Sequence, residues 1–241
     1  MKLAIATILR KEDYTKRWHS SLKEAIAYLQ VCGLTEEIKS FFVWDKAIPE
    51  ARQEITEKIL AEKRFTHMLF IDSDTFINGE QLIHLVNEVI EKGYDVLCYP
   101  VYLKTIPLIS NIYIDIMFRP LPKMLDRKVF EIEMTGLAAC MISLDVFSKI
   151  NRPWFKGRWK VRQNGRFFHL QTGEDTAFFY KLRKEGIKIY CDPTRIPSHY
   201  SKEKNLYYPE LSSARSRSKS FRTINKARCY YYGNKKRASS R

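Results

Sequence analysis

The sequence predicts an α/β domain with a mostly parallel central sheet and helices on both of its faces. Short apolar runs alternate with amphipathic segments over the first 100 residues, the pattern of strands joined by crossover helices. The run Met68–Ile71 is apolar throughout, as in a strand buried on both faces, and Asp72 and Asp74 follow it. Ligands of such sheets bind beyond the carboxyl ends of the strands, so these two acids mark the expected functional edge.

The first half of the chain gives four strands and three helices. The third helix has the clearest boundaries, because Asn78 and Gln81 fit a capping box and Gly93 fits a helix end. The other predicted elements are strands at Lys2–Leu9, Ser40–Trp44, Met68–Ile71 and Asp95–Tyr99, a helix at Thr15–Leu29 and a helix beginning near Pro49.

The second half is less regular. The predicted elements are strands at Val129–Met134, Ala138–Ser143 and Ile187–Cys191, and helices at Leu144–Ile150 and Glu174–Glu185. Between them, Asn151–His169 is rich in Trp, Arg, Phe and Gly and is predicted to be an ordered loop. The last strand is followed by a turn that leads to His199, which we expect to return to the same edge of the sheet.

The net charge of +15 is concentrated at one end of the chain. From Ser212 onward there are ten basic residues and no acid. We therefore predict a folded domain over residues 1–205 and a basic tail over residues 206–241, disordered or acting as an interaction arm. Such a tail is suited to an anionic membrane surface or to nucleic acid, although it could also be a solvated appendage.

Cysteine usage and hydropathy predict a cytoplasmic protein, in which the tail allows peripheral membrane contact. The five cysteines are odd in number and lack metal-ligand spacing, which favours reduced thiols. The start of the chain becomes charged at Arg10, too soon for a secretory segment. No uninterrupted apolar stretch approaches the roughly 20 residues of a membrane span.

Two acids separated by one small residue suit a divalent cation that also binds a phosphorylated ligand. Asp72 and Asp74 are therefore candidate ligands for Mn²⁺ or Mg²⁺. An Asp-x-Asp pair is common, and either acid could instead serve in a turn. Because Asn78 already caps the next helix, the metal interpretation is favoured. His199 is a candidate additional ligand, since imidazole suits Mn²⁺-like ions.

Asp175, at the start of a later helix, has two interpretations. With Thr172 it fits a capping box and could be structural. It could equally be a general base, aimed at the ligand edge, that accepts a proton from an incoming hydroxyl. Arg52, near another helix start, could be solvated or could contact a phosphate or base. Loop aromatics could cover the core or form a platform for sugar rings; these are Trp154, Phe155, Trp159, Phe167 and Phe168.

In their order along the chain, several of these segments together resemble the GT-A glycosyltransferases. The resemblance covers about residues 1–205, and the ordered combination is more specific than the Asp-x-Asp alone. The segments are the strand Leu3–Leu9, Pro49-Glu-Ala-Arg52, Phe70-Ile-Asp-Ser-Asp74, Thr135-Gly136 before Ala139-Cys-Met-Ile-Ser143, Gly173-Glu-Asp175, and Ile189-Tyr-Cys-Asp-Pro193 before His199.

The resemblance implies a nucleotide-diphosphate sugar as donor and an acceptor hydroxyl on a glycan, protein or lipid-linked molecule. It places the nucleoside near Thr7, Arg10 and Arg52. It also implies that Asp74 ligates the metal most directly, that Asp72 lies closer to the ribose or sugar, and that His199 completes the metal shell. In inverting members the Glu-Asp pair supplies the base, which corresponds here to Asp175.

Two other classes compete with this interpretation. A nucleotidyltransferase-like enzyme usually has a glycine-rich loop after its first strand, and Ile8–Asp13 has no glycine. A nucleic-acid-binding protein would account for the basic tail, with its Phe221 and Tyr230–Tyr232, but would leave the three acids without a role.

Overall fold

The computed structural model describes residues 1–10, 16–105, 109–114, 128–156, 158–163, 166–171 and 173–209. Most predicted elements are present, with boundaries that differ by a few residues. In chain order the elements are β1 (Lys2–Leu9), α1 (Lys16–Val31), β2 (Glu37–Trp44), α2 (Ile48–Ala61), β3 (His67–Ile71), β4 (Thr75–Phe76), α3 (Gly79–Lys92), β5 (Val96–Cys98), β6 (Phe130–Ile132), β7 (Ala139–Ser143), α4 (Val146–Lys149), β8 (Arg158–Gln163), β9 (Arg166–Gln171), α5 (Glu174–Lys184), β10 (Ile189–Cys191), β11 (Ser198–Ser201) and β12 (Leu206–Tyr208).

A seven-stranded sheet forms the centre of the domain, in the order β2-β1-β3-β7-β5-β10-β6. Five strands point the same way, whereas β7 runs antiparallel to β3 and β5, and β6 runs antiparallel to β10. The mostly parallel sheet predicted from the sequence is therefore confirmed. The carboxyl ends of β1, β3, β5 and β10 lie along one edge, where ligands of α/β sheets bind.

Both faces of the sheet are covered, as predicted. Successive residues of β1 enter opposite cores: Leu3 and Ile5 pack with the apolar sides of α1 and α3, and Ala4 and Ala6 pack with those of α2, α4 and α5. This alternation follows from the two-residue period of a strand, and it explains why the buried strands are apolar on both sides.

Capping residues at both ends determine where α3, the helix after Asp72 and Asp74, begins and ends. The Asn78 side chain accepts a hydrogen bond from the Gln81 N–H, and the Gln81 side chain accepts one from the Asn78 N–H, each at 2.9 Å. Gly93 ends the helix in the left-handed region, at φ 68°. The predicted capping box is thus confirmed, which leaves Asp72 and Asp74 free of a capping role.

Three features differ from the sequence prediction. Residues 158–171 contain the hairpin β8–β9 rather than an ordered loop. A separate three-stranded sheet, β12-β11-β4, joins the segment after Asp74 to the segment around His199. Its strand β12 lies inside the segment predicted to be tail, so folded structure continues to Tyr208; residues 210–241 lie outside the described residues. Within the described part of the chain, no helix is long and apolar enough to cross a membrane.

Candidate active site

A cavity of about 280 Å³ opens at the carboxyl edge of the central sheet. Its lining includes Asp72, Gly136, Asp175 and His199, which come from distant parts of the chain. Small-molecule pockets usually begin at about 300 Å³. A ligand as large as a nucleotide sugar would therefore extend beyond this cavity along the sheet edge.

Backbone pairing places His199 beside Asp74. Strand β11 runs antiparallel to β4 with His199 opposite Thr75, and the Tyr200 N–H donates to the Asp74 carbonyl at 2.8 Å. The ladder thus fixes both residues independently of their side chains. His199 Nε2 lies 3.2 Å from Asp74 Oδ2, so the structure brings these two predicted metal ligands together.

The hydrogen bond of His199 Nδ1 determines whether Nε2 faces Asp74 with a lone pair or with a hydrogen. Nδ1 lies 2.7 Å from the Tyr102 carbonyl oxygen. Because a carbonyl only accepts, Nδ1 carries the hydrogen, and in the neutral ring the Nε2 lone pair faces the Asp74 carboxylate. Two electron-rich groups at that distance need a positive charge beside them. A carbonyl that orients the ring in this way is the usual outer partner of a metal-binding histidine.

Asp74 and His199 fit a divalent ion, but only as part of its ligand shell. A carboxylate oxygen and an imidazole nitrogen suit Mn²⁺ more than Mg²⁺, which prefers oxygen alone. Within the described residues, no three His, Cys, Asp or Glu side chains lie close enough together to hold a metal. Oxygens of a bound diphosphate and water would have to complete the shell. Asp72, the third predicted ligand, makes an ion pair with Arg52.

Lys104 also contacts Asp74, and the sequence analysis missed it. Its Nζ lies 2.5 Å from Asp74 Oδ2, the same oxygen that faces His199. Burial would raise the pKa of Asp74, but the hydrogen bonds and charges of His199 and Lys104 hold that pKa below its usual value. Asp74 is therefore ionised at neutral pH. No motif surrounds Lys104 in the sequence that could have identified it.

A buried arginine connects the acids on the other side of the cavity. Arg52, only 3% exposed, lies in α2 with its guanidinium over the Phe70 ring. Its Nη2 lies 3.2 Å from Asp72 Oδ1, and its Nε lies 3.6 Å from the carboxylates of both Glu174 and Asp175. One guanidinium thus faces three acids. Arg52 was predicted to contact the donor, and the structure shows that its guanidinium is engaged by these carboxylates.

The surplus of acids around Arg52 changes how they titrate. Burial raises the pKa of Asp175 to about 7; Arg52 opposes this rise, and the charges of Glu174 and Asp72 add to it. Burial also raises the pKa of Asp72, again against the effect of Arg52. A carboxylate that titrates near neutrality is matched to general-base work at physiological pH.

Thr172, the partner of Asp175 in the capping box that the sequence allowed, lies outside the described residues. In the described part of the chain the N-terminal cap of α5 is Gly173, which has no side chain that could make a capping hydrogen bond. The Asp175 carboxylate accepts a hydrogen bond from the Leu137 N–H. Its Oδ1 is buried and has no hydrogen-bond partner among the described residues. This oxygen lies 3.6 Å from Arg52 Nε, and Asp175 is among the residues that line the cavity.

Asn111 is a second cavity residue that the sequence analysis missed. Its Oδ1 accepts hydrogen bonds from the Val101 N–H at 3.0 Å and from the Thr135 hydroxyl at 3.4 Å. Its Nδ2 therefore faces Gly136: a Cβ at Gly136 would lie 2.6 Å from Nδ2 and 3.5 Å from Asp175 Oδ2. Glycine is needed here because an amide and the candidate base both approach its Cα.

Of the two remaining predicted donor contacts, Thr7 lies on β1, the strand next to β3, and Arg10 directly follows that strand; neither lines the cavity. Thr7 is fully buried, and its hydroxyl has no hydrogen-bond partner among the described residues. Arg10 is exposed just after β1. Trp154 and Phe155 are buried against Phe147 and belong to the core. The side chains of Trp159, Phe167 and Phe168 lie outside the described part of the structure.

No protein-family model matches the chain, and no curated protein matches it. Among solved structures the chain is similar to A197 from STIV, with a TM-score of 0.52 and 20% identity, over 84% of this chain and 87% of that one. It is also similar to GalNAc-T7, crystallised with UDP, GalNAc and Mn²⁺, with a TM-score of 0.47 and 11% identity, over 83% of this chain and 44% of that one.

These likenesses concern the fold. At 20% identity, the likeness to A197 shows architecture alone, and the likeness to GalNAc-T7 is too low to carry an argument. In all, 221 chains match, so the architecture is widespread and does not define a substrate. Together with the sheet order and the two helical layers, the likeness to A197 confirms the predicted fold class, an α/β domain with a mostly parallel central sheet and helices on both faces.

Proposed function

We propose that this protein is a metal-dependent glycosyltransferase, which moves a sugar from a nucleotide-diphosphate sugar to an acceptor hydroxyl with inversion. The observation that carries this proposal is that two aspartates in one region have pKa values shifted in opposite directions. Asp74 is kept ionised beside His199, whereas Asp175 has a pKa of about 7. Carboxylates whose pKa values are pushed apart are typical of sites that divide charge stabilisation from proton transfer.

On the donor side, Asp74 and His199 would hold Mn²⁺ or Mg²⁺ together with diphosphate oxygens. The ion would supply positive charge to the nucleoside diphosphate as it leaves. Asp72 would lie closer to the ribose or sugar, held in place by Arg52. Thr7, on the neighbouring strand β1, and Arg10, just after it, are the proposed nucleoside contacts.

On the acceptor side, Asp175 would act as the base. The acceptor oxygen forms a bond to the anomeric carbon while the bond from that carbon to the phosphate oxygen breaks. The hydroxyl proton passes to Asp175, and the electron pair of the broken bond leaves with the diphosphate. The place of Asp175 in the cavity lining and the raised pKa of its carboxyl group support this role.

The test is a thermal-shift screen of nucleoside diphosphates with and without Mn²⁺. Saturation to about 100 times Kd stabilises a protein by about 2.7 kcal/mol, which for this size raises Tm by about 5–10 °C. Stabilisation that requires both nucleotide and Mn²⁺ is expected for the wild type. It should be lost in Asp74→Ala and kept in Asp95→Ala, which removes an acid at the opposite end of the sheet. If no nucleotide stabilises the wild type under either condition, the proposed function is wrong.

A separate measurement tests whether the transfer inverts the configuration at the anomeric carbon. NMR of the product's anomeric configuration should show inversion, and a retained configuration would remove Asp175 from the role of base. The acceptor class remains a proposal, as do a cytoplasmic location and a contact of the tail with an anionic membrane or nucleic acid. Residues 210–241, which would make that contact, lie outside the described residues.

A further inference from the structure

We infer that Lys104 is a resident cation of the Asp74 carboxylate, which competes with the divalent metal for this acid and, once displaced, binds the donor's diphosphate. This inference rests on the proposed function and deepens it, because it adds a residue that neither the sequence pattern nor the structural neighbours assign. It predicts that a single lysine affects metal binding and diphosphate binding in opposite directions.

The competition follows from the geometry at a single oxygen atom. Asp74 Oδ2 has Lys104 Nζ at 2.5 Å and His199 Nε2 at 3.2 Å. A divalent ion that binds this oxygen and Nε2 would stand next to the ammonium, and the repulsion of the two cations rises steeply at such short distances. The ammonium must therefore leave Oδ2 when the metal binds. Until then it holds the carboxylate ionised.

Lys104 directly follows two residues that line the cavity, so its displaced ammonium stays near the cavity. The two preceding residues, Tyr102 and Leu103, line the cavity, and the Tyr102 carbonyl orients His199. The Lys104 carbonyl accepts a hydrogen bond from Lys204 Nζ at 3.3 Å. These contacts anchor the backbone of Lys104 while its side chain stays one-third exposed and able to swing. A lysine on a flexible stem is a common phosphate ligand, acting as a mobile point charge.

Lys204 provides a matched control for the experiment. It has the same charge and lies next to Lys104, but its Nζ contacts a backbone carbonyl rather than Asp74. Lys104→Met and Lys204→Met therefore change the net charge equally, and only the first removes the ammonium from the acid. Lys104→Arg keeps a positive charge at the same position.

The first measurement is a titration of Mn²⁺ alone, in which the free ion is followed by electron paramagnetic resonance. Removal of a partly exposed ion pair that competes for the site should tighten Mn²⁺ binding about two- to fivefold in Lys104→Met. Lys204→Met should bind Mn²⁺ like the wild type. Equal affinity in Lys104→Met and the wild type, including no measurable binding by either, would overturn the inference.

The second measurement is calorimetric binding of the nucleoside diphosphate that stabilises the wild type, at saturating Mn²⁺. Loss of one charge-assisted contact should weaken binding about tenfold in Lys104→Met, with most of it restored in Lys104→Arg and no change in Lys204→Met. Unchanged diphosphate affinity in Lys104→Met would overturn the inference while leaving the proposed function intact. If no nucleoside diphosphate binds to the wild type, the proposed function fails instead.

Discussion

The two sides of the candidate site hold their carboxylates in opposite ways. On the proposed metal side, Asp74 has two basic partners, Lys104 and His199, which lower its pKa. On the proposed base side, Asp175 shares one cation, Arg52, with two other acids, and its pKa is about 7. The same residue type is thus held ionised on one side and titrates near neutrality on the other. The difference lies in the ratio of cations to acids, because burial acts on both.

The two sides also depend on different structural devices. Asp74 and His199 are aligned by the pairing of β4 with β11, so their distance follows from backbone register. Asp175 and Arg52 lie near the starts of α5 and α2 and meet through side chains alone. The metal side should therefore tolerate side-chain substitution without loss of structure. The base side should be structurally sensitive to the loss of its one cation.

The strongest test of this comparison is Asp175→Asn. The substitution keeps the shape of the side chain but removes its ability to accept the proton, so kcat should fall about 10²–10⁴-fold. Binding of the nucleoside diphosphate with Mn²⁺ should persist, because the metal side is intact. The measurement is steady-state transfer together with calorimetric binding.

The pH dependence identifies the titrating group in the wild type. Asp175 is a base only when deprotonated, so wild-type kcat/KM should rise through pH 7 and level off above it. This limb should be absent from the residual activity of Asp175→Asn. Undiminished turnover in that variant, or the same limb in both proteins, would show that another group is the base.

The next effect in size is on stability, through Arg52→Met. Removal of the cation leaves three neighbouring carboxylates unpaired, which should lower the free energy of unfolding by about 3 kcal/mol at pH 8. The loss should be smaller at pH 5, where protonation of the acids relieves their repulsion. Urea unfolding at both pH values measures this difference.

The control for that substitution is Arg52→Lys, which keeps the charge but not the planar fork that reaches several acids. It should lose less stability than Arg52→Met at pH 8, and its loss should depend less on pH. If Arg52→Met were equally destabilised at pH 5 and pH 8, the role of Arg52 would be packing over Phe70 rather than charge compensation.

Local sequence patterns predicted the fold well because they act over short distances. The bounds of β1 match the prediction Lys2–Leu9, and the Asn78–Gln81 capping box is present as expected. The meeting of Asp74 and His199 was also predicted, because both follow strands that end at the same edge. It is realised through a small sheet that the sequence did not reveal, since its strands have only two to four residues.

The rest of the site depends on contacts between distant residues that carry no local pattern. Lys104 and Asn111 lie in an irregular stretch, and their importance is visible only where Asp74 and Gly136 approach them. Arg52 was identified by its helix, but its three acidic partners come from two other segments. The hairpin β8–β9 was missed although Arg158–Arg162 alternates polar and apolar residues, because its partner strand breaks the alternation at Phe167 and Phe168.

The smallest predicted effect is a pH-dependent stabilisation by Asp175→Asn. Because the folded-state pKa of Asp175 is about 7 and its ordinary value is 3.8, the folded protein binds this proton more tightly than the unfolded chain. That contribution to stability is complete below about pH 4 and is lost as the pH rises through 7. Asparagine does not titrate, so the variant should gain stability relative to the wild type between pH 5 and pH 8. The gain should be about 2–3 kcal/mol, or about 5–10 °C in Tm.

The control for this prediction is Asp95→Asn, at the opposite end of the sheet, which should show no such change. If the Tm difference between Asp175→Asn and the wild type were the same at pH 5 and pH 8, Asp175 would be ionised at both. The contrast with Asp74 would then disappear.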